Sequence, residues 1–239
     1  MIIITISVLT LVAAMVGTLS GFGTSTILIP VLVQFFPPMQ AIFLVAIIHW
    51  FGNIWKLLLF RTGLNLRLLF LFGIIGILTS YIGASISIES NKTLFLQILG
   101  FFLLIYAIFL IFRSGFRVPS VNSAAIAGGS LSGFFAGLFG IGGAIRGMFL
   151  MAFNLPKAVY IATAGAIGLV IDSTRIITYF TGGATLPKHL WWGLLLFIPV
   201  SFLGAWIAKK IVNWIPQQKF RSVIAVFLFL VGVKLMIWP

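Results

Sequence analysis

Ser132-Gly133-Phe134-Phe135-Ala136-Gly137-Leu138-Phe139-Gly140-Ile141-Gly142-Gly143 runs an apolar helix into a glycine turn, and Ser20-Gly21-Phe22-Gly23-Thr24-Ser25-Thr26 places a similar turn 119 residues earlier. Other landmarks keep that offset: Pro37 meets Pro156, Asn53 meets Asp172, Lys56 meets Arg175, and Thr62-Gly63 meets Thr181-Gly182. Past a two-residue insertion, Ser80-Tyr81-Ile82-Gly83-Ala84 resembles Ser201-Phe202-Leu203-Gly204-Ala205. Apolar sequence produces chance similarity readily, but chance does not hold a Gly-x-Gly, a proline, two polar positions and a Thr-Gly in one register. The chain reads as an internal duplication, residues 1–118 and 119–239, forming one integral membrane domain.

Composition sets the solvent. Of 239 residues, 62% are apolar and 7% charged, with a mean hydropathy of +1.25, where a soluble domain carries roughly 25% charged residues. Residues 1–55 contain no Asp, Glu, Lys or Arg, and neither do residues 68–88. Both stretches are long enough to cross a hydrocarbon core of about 30 Å. The formal charge of +13 arises from 15 Lys and Arg against Glu89 and Asp172. In a soluble chain that balance would suggest nucleic acid. Here most basic residues stand singly in short loops, where they set orientation and meet anionic lipid headgroups, so lipids and not nucleic acid are the expected macroscopic partner. The absence of cysteine excludes disulfides, thiolate catalysis and zinc-thiolate sites. Met1 is followed by Ile-Ile-Ile with no basic stretch, so residues 1–19 read as a retained membrane segment and not a secretory signal. The expected location is the plasma membrane, crossed several times.

Apolar runs fall at about 2–19, 24–36, 40–60, 67–88 and 93–112, then 122–139, 143–154, 157–180, 189–209 and 219–238. The predicted fold is therefore all-α, with two repeats of about five hydrophobic segments. Arg61 and Arg67 flank the loop after the third segment, and Arg113 and Arg117 follow the fifth, which makes both loops cytoplasmic. In the second half the heavily basic loop, with Lys209, Lys210, Lys219 and Arg221, corresponds instead to the external Glu89–Lys92 loop of the first half. The repeats are thus expected to be inverted, a recurring transporter architecture. Inversion needs an odd number of crossings per half. The short second segments, 24–36 and 143–154, satisfy it as full crossings (five) or as parts of re-entrant hairpins (three).

Two constellations carry candidate chemistry. The first is the pair of glycine loops, Gly21, Phe22, Gly23, Thr24 and Ser25 with Gly140, Ile141, Gly142 and Gly143. Each ends one helix and begins a short one, so main-chain N–H groups and a positive helix end converge where an anion must shed its water. The competing reading is a close-packing turn. Arg146, three residues past Gly143, is the most direct substrate contact, since its planar fork matches oxyanions; its alternative is an interfacial arginine. The second constellation is Asn53 and Lys56 with their mates Asp172 and Arg175, each pair sharing a helix face at a spacing of three. Ionisable groups inside spans are costly and mark function, although Lys56 is near enough to its segment end to snorkel. Asp172 would serve as a proton-responsive group or hold Arg175 in place. His49 belongs with these as an ion-coupling candidate, against a plain packing role. His189, beside Lys188 and Trp191-Trp192, reads as a loop residue above an aromatic belt. Gly129, Gly133 and Gly137, at a spacing of four, give a flat helix face for packing or for a homodimer seam. No metal-ligand cluster or nucleophile triad assembles, so neither enzymatic chemistry nor a cofactor is expected.

These residues resemble a family. Two hydrophobic halves, one opening with Leu19-Ser20-Gly21-Phe22-Gly23 and the other with Gly137-Leu138-Phe139-Gly140-Ile141-Gly142-Gly143, each followed by a short helix ending at proline, are similar to the sulfite exporter TauE/SafE-like permeases. The resemblance implies secondary transport, as an exporter, of small sulfur-containing anions such as sulfite or organosulfonates, driven by an ion gradient. This sequence departs from the family pattern where Ala144-Ile145-Arg146 follows the glycines, which points to a substrate choice of its own. An anion channel or a non-transporting scaffold subunit is the alternative.

Overall fold

The computed structural model describes residues 1–21, 23–61, 63–112, 118–212 and 217–239, without the side chains of 217–223. Phe22, Thr62, Arg113 and Arg117, and the side chains of Lys219 and Arg221, therefore lie outside the described residues. Ten helices follow one another among the described residues: α1 Ile2–Ser20, α2 Ser25–Leu32, α3 Pro38–Leu59, α4 Leu66–Glu89, α5 Lys92–Phe112, α6 Asn122–Phe139, α7 Gly142–Met151, α8 Lys157–Thr181, α9 Lys188–Ile211 and α10 Gln217–Ile237. Among the described residues there is no strand, and six helices (α1, α3, α4, α5, α8 and α9) are long and apolar enough to cross a membrane. The boundaries follow local chemistry. Pro37, Pro156 and Pro187 immediately precede α3, α8 and α9. Gly21 (φ 75°) and Gly140 (φ 74°) stop α1 and α6 in the left-handed region that glycine enters without strain.

The bundle is turned outward for lipid. On α4, Phe70, Ile74, Leu78 and Ile82 recur every fourth residue and are exposed, while Gly73, Gly76, Ser80, Gly83 and Ala84 are buried. Small residues inside and large ones outside is the membrane pattern, because backbones that approach closely gain packing that lipid tails do not supply. The predicted glycine stripe on α6 packs against this face of α4. A Cβ on Gly133 would lie 2.4 Å from the Gly76 carbonyl oxygen, and one on Gly137 2.1 Å from that of Ser80. Gly133→Val should therefore force α4 and α6 apart at a cost of about 1–3 kcal/mol, read as a lower unfolding temperature in detergent. An unchanged temperature would show that the contact is not tight.

Each half finds its main partners in the other. α4 packs on α6, α9 on α1, α3 on α8 and α5 on α10. The α3–α8 pair runs antiparallel: Lys56 adjoins Gly165, Asn53 adjoins Gly168, and the Trp50 indole donates to Ser173 Oγ at 2.8 Å. The α5–α10 pair is antiparallel as well, since Gly100 meets Leu235 and Leu104 meets Gly232.

The second segments are shorter than expected. The apolar run 24–36 contains a helix of only 8 residues, and the run 143–154 gives one of 10 starting at Gly142, or about 12 and 15 Å at 1.5 Å per residue. Neither spans a hydrocarbon core alone. In the second half the ambiguity resolves. Gly142 lies against Ser132 and Phe149 against Gly128, so α7 folds back along α6 as a helical hairpin with Gly140 and Ile141 at its tip.

The polar ends sort by charge. Arg67 Nη2 donates to Asn122 Oδ1 at 2.6 Å, the Asn65 amide donates to Thr163 Oγ1 at 3.1 Å, and the Lys157 ammonium donates to the Val212 carbonyl. These bonds gather the start of α4, the start of α6, the start of α8 and the end of α9 at one end of the bundle, with Arg61, Arg67, Lys157, Lys209 and Lys210. This end carries the excess of basic residues. At the other end Ile88, next to Glu89, meets Gly182 at the close of α8.

Candidate functional site

The two glycine loops meet. A Cβ on Gly23 would sit 3.7 Å from Gly143 Cα and 2.9 Å from His49 Nε2, and one on Gly140 would sit 2.9 Å from Arg175 Nη1. The loops, 119 residues apart in sequence, thus converge midway along the antiparallel pair α3 and α8 and deliver the starts of α2 and α7 to the same place. Thr24, Ser25 and Thr26 are buried on α2, as are Ile141, Gly142 and Gly143 on the other side. The candidates on the described part of both loops are brought together; Phe22 is the exception, as it lies outside the described residues.

The second constellation joins them. Asp172 is 2% exposed and both its oxygens are engaged: Oδ1 accepts from Arg175 Nε at 2.8 Å, while Oδ2 accepts from Asn53 Nδ2 at 2.8 Å and pairs with His49 Nδ1 at 2.7 Å. Lys56 does not snorkel. It is buried, and its ammonium donates to Asn53 Oδ1 at 3.1 Å. Arg146 is not interfacial either, being 2% exposed. A Cβ on Gly168 would approach Arg146 Nη2 to 2.9 Å and Asn53 Nδ2 to 2.6 Å, so the absence of a side chain there lets the α7 guanidinium lie against α3 and α8. The Asp172–Arg175 pairing was legible from its spacing of three. The His49–Asp172 pairing was not, because nothing local in the sequence joins residues 123 apart.

The balance of charge is the site's main property. Lys56, Arg146 and Arg175 are all buried and near enough for Arg146 to be repelled by the other two, and Asp172 is the one buried carboxylate among the described residues. Unshared charge away from water is expensive unless a counter-ion and hydrogen bonds meet it. Several polar atoms are still open: Arg146 Nε, Ser25 Oγ and His49 Nε2 are buried without a hydrogen-bond partner, and so are both terminal nitrogens of Arg175, beside the Tyr179 hydroxyl. Such a set of fixed cations, N–H groups and helix starts is complementary to a small anion with more than one acceptor oxygen.

Two tyrosines complete the surround and escaped the sequence reading, since a hydroxyl in an apolar helix gives no pattern until its partner is known. The Tyr179 hydroxyl donates to the Gly137 carbonyl. The Tyr160 hydroxyl lies between the two loops, donating to the Gly147 carbonyl at 3.4 Å, close enough to Gly21 that a Cβ there would stand 2.3 Å away. Tyr160 also floors a cavity of about 460 Å³ lined by Met151, Asn154, Leu155 and Lys157.

A family model described as sulfite exporter TauE/SafE matches residues 6–235. The chain belongs to the TauE/SafE family. No curated protein matches it. Membership makes this a multi-pass membrane protein of an anion-exporting transporter family, and it places both glycine loops, Arg146 and the His49–Asp172 network inside the region that defines the TauE/SafE proteins. His189, by contrast, is exposed beside Trp192 at the far end of the bundle, away from the site.

Proposed function

We propose that this TauE/SafE protein is a secondary transporter that exports small sulfur oxyanions, sulfite or organosulfonates, through a site formed by the two glycine loops, Arg146 and the Asn53–Lys56 and Asp172–Arg175 pairs. The observation that carries the reading is the buried excess of cations, three against one carboxylate, at a point where unpartnered polar atoms from α2, α3, α7 and α8 converge. A dianion such as sulfite balances that excess. Its pyramidal oxygens reach donors on several helices at once, which a spherical halide does not.

Two further features support a transport cycle. Asn53 and Asp172, mates in the duplication, touch each other, as residues on a two-fold axis between halves would. The antiparallel course of the mated helices α3 and α8 fits an axis lying in the membrane plane, hence inverted repeats that rock about a central site. The basic end, which its excess of Lys and Arg assigns to the cytoplasm, is the side from which export loads.

The test is flux in liposomes containing purified protein, following labelled sulfite. Saturable uptake, competed by thiosulfate and small sulfonates and poorly by chloride, is expected. No saturable flux of any sulfur anion would overturn the reading and favour a scaffold role; unsaturable flux shared by chloride would favour a channel.

A further inference from the structure

We propose that His49 Nε2 is the proton-binding atom that couples anion movement to a proton gradient, a deepening that rests on the anion site proposed above. Asp172 Oδ2 sits 2.7 Å from His49 Nδ1. A carboxylate there can only accept, so Nδ1 carries the hydrogen of the neutral ring and Nε2 is left with a bare lone pair. That lone pair is buried, has no partner, and faces the first glycine loop at Gly23, opposite Gly143. The imidazole therefore holds one nitrogen in the polar network and offers the other to whatever occupies the loops.

The nearby alternatives for a coupling proton are already bonded: the Lys56 ammonium donates to Asn53 Oδ1 at 3.1 Å. Asp172 has both oxygens occupied by Arg175, Asn53 and His49. Charged groups facing His49 are Lys56 on its own helix and Asp172 and Arg175 on α8, while Arg146 on α7 faces Asp172 and Arg175. α2 carries no charged residue, and those described on α9 and α5 (Lys188, His189, Lys209, Lys210 and Lys92) stand in terminal turns. A proton arriving on Nε2 adds a fourth positive charge beside three fixed cations. An anion in the loops offsets that repulsion and accepts the new N–H. Each ligand thus favours the other by linkage, so a proton leaves with the dianion, and the pair carries one net negative charge that an inside-negative membrane potential drives outward.

The experiment measures proton uptake on sulfite binding to the purified full chain, by calorimetry in buffers of different ionisation heat, alongside sulfite exchange in liposomes. Wild type should take up about one proton more per sulfite than His49→Asn. The asparagine amide keeps the donor to Asp172 and cannot titrate, and sulfite's own titration is common to both proteins and cancels. Exchange of labelled sulfite at equal pH should weaken in His49→Asn, with the loss of one contact to the anion, and the response of accumulation to an imposed pH gradient should vanish. Equal proton uptake by the two proteins, or by wild type and His49→Gln if the first variant does not fold, overturns the proposal. So does wild-type binding without any proton uptake. In those cases sulfite exchange persists and the anion site stands; absence of sulfite binding and exchange in wild type removes the anion site itself.

Discussion

Asp172→Asn is expected to be the most damaging single substitution in the chain, costing about 3–5 kcal/mol of stability through loss of a buried counter-charge. Asp172 orients Arg175, Asn53 and His49 and is the one buried acid in the described structure facing Lys56, Arg146 and Arg175. An amide keeps the shape and loses the charge. It also presents an NH2 group to one of three donors that all need an acceptor, so at least one hydrogen bond becomes a clash. The variant should lose its sharp thermal transition in detergent and fail to bind sulfite. Removing the opposing charge as well, in Asp172→Asn with Arg175→Gln, should recover part of the stability without recovering transport, because charge balance returns while the anion's donors do not. A single variant as stable as the wild type would show that the three cations do not depend on this carboxylate.

Arg146→Ala should behave in the opposite way: transport collapses and stability holds. The guanidinium pairs with no carboxylate directly, its Nε has no partner, and Lys56 and Arg175 repel it. Deleting it removes a desolvated cation and its repulsion by Lys56 and Arg175, offset by loss of its attraction to Asp172. For a bound oxyanion, the same deletion removes charge-assisted hydrogen bonds worth about 1.5–3 kcal/mol, or roughly 10- to 150-fold in kcat/KM for sulfite. Arg146→Lys should fall between, since a point charge keeps the attraction and not the fork. Sulfite uptake in liposomes, read beside the unfolding temperature of each variant, separates the two effects. If uptake is unchanged in Arg146→Ala, the arginine does not touch the substrate.

These opposite outcomes show what a sequence does and does not display. The five-plus-five order was legible because a membrane span is a matter of length and polarity, both of which are local. The extent of α2 was overread for the same reason: the run continues apolar through Phe35-Phe36 although the helix has ended at Leu32, and hydropathy does not register a turn. Asp172 with Arg175 was visible because a spacing of three is a helical neighbour relation. His49 looked isolated because its partner lies on another helix. Arg146 was singled out for its position after Gly143, but its neighbours Asn53 and Gly168 come from α3 and α8. The offset between the halves was the one long-range signal available, and it named the pair, Asn53 and Asp172, that meets at the centre of the site.

The pairing of α1 with α9, α4 with α6 and α5 with α10 bears on how the protein is made. When the first five helices have left the ribosome, the principal partner of every one except α2 is still unsynthesised, and the polar side chains of α3 face lipid or the insertion machinery without Asp172 to receive them. Insertion and folding are thus separated in time. The early half must be held in the membrane, hydrated or escorted, until α8 arrives and closes the charge network.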